Sequence, residues 1–325
     1  MNFFAVLAAL VIEQLKPLPA RNPVHDAIGA WMRWAGRNFD AGKPHHAWIV
    51  WLIAVALPAF LAFGIHWALA QTSVAVALLW SVSVLYVTLC FRQFSHHFTD
   101  IRDALERGDE TDARAQLARW QHLDTSELPR TELLRHVLEH SLLAAHRHVF
   151  GVFFWFVLLS TFGLGPAGAV LYRLAEFARR YWAKKASVAG APVNEGLIDL
   201  SVRLFALIDH VPARLTAFGF AVVGNFEDAV ACWRRDAGLW RHANEGIILA
   251  AAAGAVGVQL GGRHAPGTAP MPDGDTATDA DFAGASTPGV PPQLGHLRSV
   301  VGLVWRSVVL WMLLLAALSL ANLVG

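Results

Sequence analysis

Residues 136–140 read His-Val-Leu-Glu-His, which is the H-x-x-E-H pattern of the inverted zincin peptidases. On a helix, His136 and His140 lie one turn apart and can share a Zn²⁺ ion, with Glu139 as the general base. A third ligand is needed, and His146, His148 or a distant carboxylate could provide it. The chain contains 15 histidines, so a solvated helix surface is the other interpretation. Both interpretations stay open at this point.

A second motif covers residues 163–168, Gly-Leu-Gly-Pro-Ala-Gly, and fits the G-x-G-x-x-G pattern of dinucleotide-binding βαβ units. In such a unit a strand precedes the glycines, whereas residues 153–162 here are an apolar stretch with helical character. No acidic residue closes a βαβ unit either. We therefore expect Gly165, Pro166 and Gly168 to be structural, forming a helix break at which glycines allow close packing.

A third cluster, Asp209-His210-Val211-Pro212-Ala213-Arg214, places opposite charges inside an apolar stretch. Charges in such a setting are costly and are paired or functional by default. Asp209 can be the structural partner of Arg214. Alternatively, the planar guanidinium of Arg214 can hold a phosphate through two parallel hydrogen bonds.

The composition shows in which environment these residues must work. Of the 325 residues 55% are hydrophobic and only 16% are charged, whereas a soluble domain has about 25% charged residues. The mean hydropathy is +0.42. The net charge of +1 predicts no nucleic-acid partner. Two cysteines, Cys90 and Cys232, exclude a disulfide scaffold. The chain is predicted to be an integral membrane protein whose first partner is the lipid bilayer.

A membrane-spanning helix needs about 20 mostly apolar residues. Three segments meet or nearly meet this length: 47–70, 73–90 and 300–323. A fourth, 149–171, carries glycines and a proline in its second half and is predicted to be a broken or re-entrant segment. Residues 2–12, closed by Glu13, are predicted to be an uncleaved anchor because they lack a basic region and a cleavage site.

Residues 71–73 leave almost no loop between the segments 47–70 and 73–90, so these two form a helical hairpin. Both flanks of this hairpin are rich in arginine and lysine. The positive-inside rule therefore predicts a multi-pass protein of the bacterial inner membrane with residues 91–148 in the cytoplasm.

The predicted fold class is all-α. Apolar residues recur at helical spacing in 100–120 and again in 131–148, which predicts a cytoplasmic helical hairpin. Residues 265–297 are rich in Pro, Gly, Ala, Thr and Asp and are predicted to be a flexible linker before the last span. The predicted organisation begins with an anchor and transmembrane hairpin at 1–90 and a cytoplasmic helical region at 91–148. A membrane-associated core at 149–264 follows. A disordered linker at 265–297 then leads to the C-terminal transmembrane helix at 298–325.

Six blocks follow one another along nearly the whole chain: Asn22-Pro23-Val24 with Ile28-Gly29, Leu123-Asp124-Thr125, Glu139, Gly165 to Arg173, Val211 to Ala217, and Ala243 to Gly246 with Gly254 to Gly262. They resemble, in the same order, the family signatures H-P-V…I-G, G-R-D-T, E-x-x-x-E-N, G-P-P-G-A-x-x-Y-R, I-P-A-R-L-T-A and P-N-A-G…G-A-L-G-V-R-L-G-G. These signatures belong to the CobD/CbiB family of adenosylcobinamide-phosphate synthases.

The resemblance implies a membrane enzyme of cobalamin biosynthesis that joins adenosylcobyric acid to an aminopropanol phosphate through an amide, with ATP and Mg²⁺. It implies corrinoid-pathway partners and assigns catalytic roles to Glu139 and Asp124. It also implies a set of ligand-binding residues: Asn22, Tyr172, Arg173, Arg214 and Asn244. Within this set, Asp124, Glu139 and Asn244 would serve the metal or nucleotide, and Arg173 and Arg214 the phosphate.

Several acidic and polar positions of the family are replaced in this chain: Leu123, Leu143, Ala144, Arg147, Phe205, Ala206 and Leu249. Such losses would remove most of the candidate metal ligands. Glu13 and Asp209 instead resemble the AmpE branch of the superfamily, which comprises inner-membrane proteins linked to β-lactamase induction and cell-wall signalling. A non-catalytic signalling or partner protein of that type is the alternative function.

Overall fold

The computed structural model describes residues 2–16, 23–40, 42–89, 91–121, 128–187, 194–261 and 286–324. The chain divides into two compact units. Unit 1 comprises Met1–Gln93, Arg147–Asp209 and Met312–Gly325, and unit 2 comprises Phe94–His146 and His210–Trp311. The predicted sites Asn22 and Asp124 lie outside the described residues.

The described residues are almost entirely helical and contain no strand, which confirms the predicted all-α class. The first seven helices are α1 (Asn2–Leu15), α2 (Pro23–Phe39), α3 (His45–Thr72), α4 (Val74–Leu89), α5 (Phe91–Glu106), α6 (Glu110–Gln121) and α7 (Arg130–Thr161). The remaining six are α8 (Ala167–Ser187), α9 (Glu195–Ile208), α10 (His210–Val223), α11 (Phe226–Asp236), α12 (Ala243–Val256) and α13 (Leu294–Val324).

Three described helices are long and apolar enough to cross a membrane, namely α3, α7 and, within α13, Leu294–Ala321. The bent pair of α9 and α10 is a fourth candidate, while α4 is an apolar helix of shorter length. The predicted spans 47–70 and 300–323 therefore coincide with long apolar helices. The protein is a multi-pass membrane protein.

Helix α3 continues through a proline because a neighbouring side chain compensates for the missing hydrogen bond. Pro58 has no N–H to donate to the carbonyl of Ala54, four residues earlier. A π-type turn, Leu52–Ala56, precedes the proline, and the indole Nε1 of Trp31 on α2 donates to the Ala54 carbonyl at 3.3 Å. A separate bond joins the hairpin partner α4 to α3, because Trp80 Nε1 donates to the Ala62 carbonyl at 3.2 Å.

The segment predicted to be broken, 149–171, divides between two helices. Helix α7 ends at Thr161, and α8 begins at Ala167. In the turn between them Gly163 and Gly165 have φ values of +77° and +56°, which glycine adopts without a Cβ penalty. Helix α7 begins already at Arg130, so residues 130–148, predicted to be part of a separate cytoplasmic hairpin, continue directly into the apolar residues 149–161.

Part of the predicted linker 265–297 is ordered. Residues 286–293 run beside the loop Gly257–Gly261, with Val290 N–H donating to the Gly257 carbonyl at 3.0 Å and Gln259 N–H donating to the Val290 carbonyl at 2.9 Å. Thr287 is fully buried in this pairing. Helix α13 then begins at Leu294 rather than at 298. Backbone pairing supplies here the stabilisation that the composition of the segment lacks.

Candidate functional site

The predicted site residues fall into the two units. Tyr172, Arg173, Asp209 and the turn residues Gly165, Pro166 and Gly168 belong to unit 1. Glu139, Arg214 and Asn244 belong to unit 2.

Glu139 holds the backbone of a distant glycine. Its Oε1 accepts a hydrogen bond from the N–H of Gly261 at 2.7 Å. One turn earlier on α7, Arg135 Nη1 donates to the carbonyl of the same Gly261 at 2.7 Å, and the other end of its guanidinium pairs with Glu132. Arg135 and Glu139 are both buried. Two side chains of one helix face therefore satisfy both backbone polar groups of one residue.

Gly261 ends a loop that is fixed from its other side as well. Gly257, with φ of +74°, terminates α12 in the left-handed conformation, which is the usual glycine helix stop. The hydroxyl of Thr287 accepts from Leu260 N–H at 2.8 Å. The loop Gly257–Gly261, which corresponds to the last family-like block, is thus held between α7 and the segment 286–293. Arg135 and Thr287 were not among the predicted site residues.

The zinc-peptidase motif of residues 136–140 lies on α7. His136 and His140 lie on α7, one turn apart, as predicted, and His140 packs edge to face against Trp120 with ring centroids 4.4 Å apart. Glu139, the proposed general base, engages a backbone amide. Within the described ranges, no group of three His, Cys, Asp or Glu side chains lies close enough together to hold a metal ion.

Arg214 lies on α10 in a half-buried position. Its Nη1 donates to the carbonyl of His210 at 2.8 Å and approaches Oδ1 of Asn244 at 3.4 Å. Both acceptors are neutral, and across the described part of the chain Arg214 forms no ion pair with a carboxylate. Asn244 stands in the first turn of α12, whose N-cap residue His242 provides no side-chain cap. Arg214 and Asn244 are thus brought together, and no carboxylate of the described ranges forms an ion pair with the Arg214 guanidinium.

The same helix α10 is tied to α7 by a buried polar contact. His146 Nδ1 and Thr216 Oγ1 are 2.9 Å apart. Thr216 lies two residues after Arg214, in the same family-like block, and both partners of the contact are almost fully buried. This contact anchors the turn of α10 that carries Arg214 to α7.

In unit 1, Tyr172 and Asp209 form a buried pair. The phenol of Tyr172 donates to Oδ1 of Asp209 at 2.8 Å. Burial, followed by the neighbouring charge of Asp209, raises the pKa of Tyr172 well above 10, so the phenol keeps its proton and acts as a donor. Tyr172 also packs against Phe205 and against Gly151, where a Cβ would collide with the tyrosine ring.

Next to this pair, a buried carboxylate organises the arginines of α8. Arg173 Nη1 donates to Glu176 Oε2 at 2.6 Å, and Arg180 Nη2 donates to the same oxygen at 2.9 Å. Burial by itself would raise the pKa of Glu176, but the charges of Arg180, Arg173 and Arg147 outweigh it and lower the pKa to about 2. Glu176 was missed in the sequence, although its spacing from Arg173 and Arg180 places all three on one helix face.

The close packing predicted for the glycine motif is present at Gly168. A Cβ there would overlap the backbone carbonyl of Trp155 on α7. Ser160 Oγ donates to the Gly165 carbonyl at 2.9 Å across the turn. The motif thus brings the start of α8 against α7 and positions Tyr172 and Arg173 on the following turn.

The described residues do not fit a resident magnesium site. Magnesium takes oxygen ligands, commonly one or two carboxylates together with substrate phosphates. Glu139, the best candidate, has one oxygen on a backbone amide, and the described ranges contain no acidic or imidazole cluster that could hold an ion. The arginine side chains described above, in contrast, have the charge and the hydrogen-bond donors to bind a phosphate.

Comparison with known proteins gives a consistent relationship over the length of the chain. The family model described as CobD/Cbib protein matches residues 5–280. A "Cobalamin biosynthesis protein CobD" of Stutzerimonas stutzeri (strain A1501) is 30% identical over 317 residues, which cover 96% of each chain. A protein of the same name from Chromobacterium violaceum is 34% identical over 199 residues, covering 60% of this chain and 59% of the relative.

A third relative with this name, from Leptospira interrogans serogroup Icterohaemorrhagiae serovar copenhageni, is 28% identical over 277 residues, covering 79% of this chain and 80% of its own. No solved structure gives a significant match. The family match over most of the chain and the full-length similarity to the Stutzerimonas protein show that this chain belongs to the CobD/CbiB family.

Proposed function

We propose that this protein catalyses the amide-forming step of cobalamin biosynthesis, joining the carboxylate of adenosylcobyric acid to the amine of an aminopropanol phosphate. Its family membership and its full-length relative named for cobalamin biosynthesis support this assignment. The multi-pass membrane character agrees with it. ATP and Mg²⁺ are the co-reactants that the family chemistry implies.

The observation that carries the proposal is the environment of Arg214. In the described part of the chain its guanidinium meets two neutral oxygens and no carboxylate, so its charge is available to an anion. A phosphate monoester matches the planar fork of arginine. In this arrangement Arg214 and Asn244 hold the phosphate end of the aminopropanol phosphate, and its amine stays free to attack.

Tyr172 and Arg173 remain candidates for ligand binding by resemblance, and their described partners are Asp209 and Glu176. Asn22 and Asp124 remain candidates for ligand binding and catalysis by resemblance alone. Glu139 has a different proposed role from the one that the resemblance gave it. Because its carboxylate binds Gly261 N–H, we infer that it positions the loop Gly257–Gly261 and does not touch the reacting atoms.

The experiment combines purified protein, ATP, Mg²⁺, adenosylcobyric acid and aminopropanol phosphate, and measures the amide product. The wild type should form product, whereas Arg214→Gln should lose at least about tenfold in activity with a thermal unfolding midpoint close to that of the wild type. Arg214→Lys should restore little, because lysine lacks the fork. Arg203→Gln is the matched control, since Arg203 is an exposed arginine that pairs with Asp199.

Absence of product under conditions in which an authentic family synthase works would contradict the proposal. Full activity of Arg214→Gln would contradict the role of Arg214. If Arg214→Gln unfolds early and Asp209→Asn in the same background restores stability, the two residues form a structural pair.

The alternative is a non-catalytic AmpE-like membrane signalling or partner protein. One observation favours it, namely the burial of both residues that resemble that branch, Glu13 and Asp209, which are 1% and 3% exposed. This alternative predicts that Glu139→Ala changes neither cobalamin-dependent growth nor ATP binding. Cobalamin auxotrophy on deletion of this gene alone would contradict it.

The proposed setting is the bacterial inner membrane, with residues 91–148 facing the cytoplasm. Residues 130–148 belong to the long apolar helix α7, so a fusion that tests the cytoplasmic location should be placed before Arg130. An alkaline phosphatase fused after Trp120 should be inactive, and a fusion after Ser73, in the hairpin turn, should be active. The opposite pattern would reverse the orientation.

A further inference from the structure

One side of α10, in unit 2, is exposed and apolar along the whole helix. This apolar stripe consists of Val211, Leu215, Phe218 and Val222, which recur at helical spacing, and Phe226 continues it at the start of α11. These five side chains are between 37% and 53% exposed. The rings of Phe218 and Phe226 pack edge to face with their centroids 6.4 Å apart. A contiguous exposed apolar surface commonly marks contact with a membrane or with another protein.

The opposite side of α10 is packed inside unit 2. Its buried residues are Pro212, Ala213, Thr216, Ala217, Gly219, Phe220 and Ala221. Ala217 forms an apolar cluster with Ile247 and Ala251 of α12. A helix at a water-facing surface carries charged or polar side chains opposite its buried face, whereas α10 carries the apolar stripe there. The stripe is therefore suited to an apolar medium.

The neighbouring helix α13 indicates which medium this is. A Cβ atom at Gly219 would lie 3.6 Å from Nε1 of Trp311, so α10 runs close beside α13, which is long and apolar enough to cross a membrane. Arg306 is the last charged residue of the sequence, and Trp311 lies about 7.5 Å farther along the helix axis. Tryptophan is enriched at the membrane–water interface. The stripe thus lies beside a membrane helix, near the point at which that helix leaves the polar region.

The length and the ends of α10 argue against a crossing of the bilayer. Its 14 residues extend over about 21 Å, which is less than the hydrocarbon thickness of about 30 Å. Exposed polar residues flank the helix on both sides, with His210 at its start and Asn225, Glu227 and Asp228 directly after its end. A transverse orientation would place one of these ends in hydrocarbon, whereas a helix parallel to the membrane surface keeps both ends among the headgroups.

We propose that α10 is an interfacial helix, which lies along the membrane surface and inserts its apolar stripe among the acyl chains of the phospholipids. Interfacial helices bury their apolar face about 5–10 Å into the boundary between headgroups and acyl chains. Arg214, which precedes Leu215 at the edge of the stripe, then lies at the level of the lipid headgroups. This placement does not depend on the proposed reaction.

The first test measures the depth of α10 in the bilayer. The full-length protein, with Cys90→Ala and Cys232→Ala, is reconstituted into liposomes with a nitroxide on Leu215→Cys, Phe218→Cys or Val222→Cys. Accessibility of the nitroxide to oxygen and to a water-soluble nickel chelate gives its depth. The three labels should lie at similar depths, about 5–10 Å below the headgroups. A steady change of about 10 Å between positions 215 and 222 would indicate a crossing helix and overturn the proposal.

Thr111→Cys on α6 is the matched control, since Thr111 is an exposed residue of a charged helix in the same unit. Its label should be fully accessible to the nickel chelate. Each labelled protein is first compared with the unlabelled protein by thermal unfolding, and three exposed positions keep the test valid if one variant does not fold. Equal accessibility of the α10 labels and the Thr111→Cys label would show that the stripe faces water and would overturn the proposal.

The second test identifies the molecules that cover the stripe. Benzoylphenylalanine replaces Phe218 in the full-length protein, and the liposomes are irradiated. Intact mass spectrometry should show the mass of the protein increased by that of one phospholipid. A cross-linked dimer in place of the lipid adduct would show that a second copy of the chain covers this face, and it would overturn the proposal.

Discussion

The carboxylate of Glu139 and the backbone N–H of Gly261 are hydrogen-bonded at 2.7 Å across 122 positions of sequence. This contact joins the family-like position on α7 to the last family-like block. Arg135 completes it by binding the carbonyl of the same glycine. We therefore propose a positioning role for this residue, which the resemblance presents as a catalytic acid.

Glu139→Ala should destabilise the protein by about 1–3 kcal/mol, because the buried N–H of Gly261 loses its acceptor. Differential scanning fluorimetry in detergent measures the loss as a lower unfolding midpoint. The matched control is Ser141→Ala on the same helix. The Ser141 hydroxyl donates to the carbonyl of Val137 in its own helix, and its removal should cost less than about 1 kcal/mol. Equal midpoints for Glu139→Ala and the wild type would contradict a stabilising role for the hydrogen bond between Glu139 and Gly261.

Gly168→Ala should destabilise the start of α8 by about 1–3 kcal/mol, since the new methyl group has to displace the Trp155 carbonyl. Gly64→Ala is the control, because a Cβ at this membrane-helix position meets no atom within 4 Å. That variant should be unchanged or more stable by up to about 1 kcal/mol. If both variants unfold at the same temperature, the contact of α8 with α7 is looser than described.

Some of these features could be predicted from sequence and others could not. The helix break at Gly163–Pro166 was predictable because glycine and proline act on their own backbone. The binding of Gly261 by Arg135 was not predictable, because the two residues lie 126 positions apart and the sequence around one of them gives no sign of the other. The ordered segment around Thr287 was missed, because composition indicates how much apolar surface a segment can bury and does not indicate which backbone groups pair. Likewise, a search for apolar segments cannot show that α7 begins at Arg130. The first turns of this helix carry polar residues, which are buried by tertiary contacts.

The buried carboxylate Glu176 makes stability depend on pH in the acidic range. Its pKa is 4.5 in the unfolded chain and about 2 in the folded protein, so folding favours the ionised form. This contribution, about 3 kcal/mol, is fully present above pH 4.5 and is lost as the pH falls toward 2. Unfolding midpoints measured from pH 7 to pH 2.5 should drop more in the wild type than in Glu176→Gln.

The control for this measurement is Asp199→Asn, which removes an exposed carboxylate of the same unit. It should retain the wild-type pH dependence. A Glu176→Gln profile that runs parallel to the wild-type profile would show that another carboxylate causes the acid sensitivity.

Tyr172→Phe removes the phenol that donates to Asp209 and should cost about 1–3 kcal/mol, since a buried carboxylate loses a donor. Tyr86→Phe is the matched control, because its hydroxyl bonds the Lys16 carbonyl at an exposed position. Chemical unfolding in mild detergent compares the two variants. A greater loss in Tyr86→Phe than in Tyr172→Phe would contradict the structural importance of the buried pair.

The central claim is that this protein performs the amide-forming step of cobalamin biosynthesis, and complementation of a deletion strain tests it most directly. On medium where growth depends on newly made cobalamin, deletion of the gene should abolish growth, and the wild-type gene or Arg203→Gln should restore it. Arg214→Gln should not restore growth, although adenosylcobinamide phosphate, the product of the step, should do so without the gene. Normal growth of the deletion strain, or failure of the product to rescue it, would contradict the account.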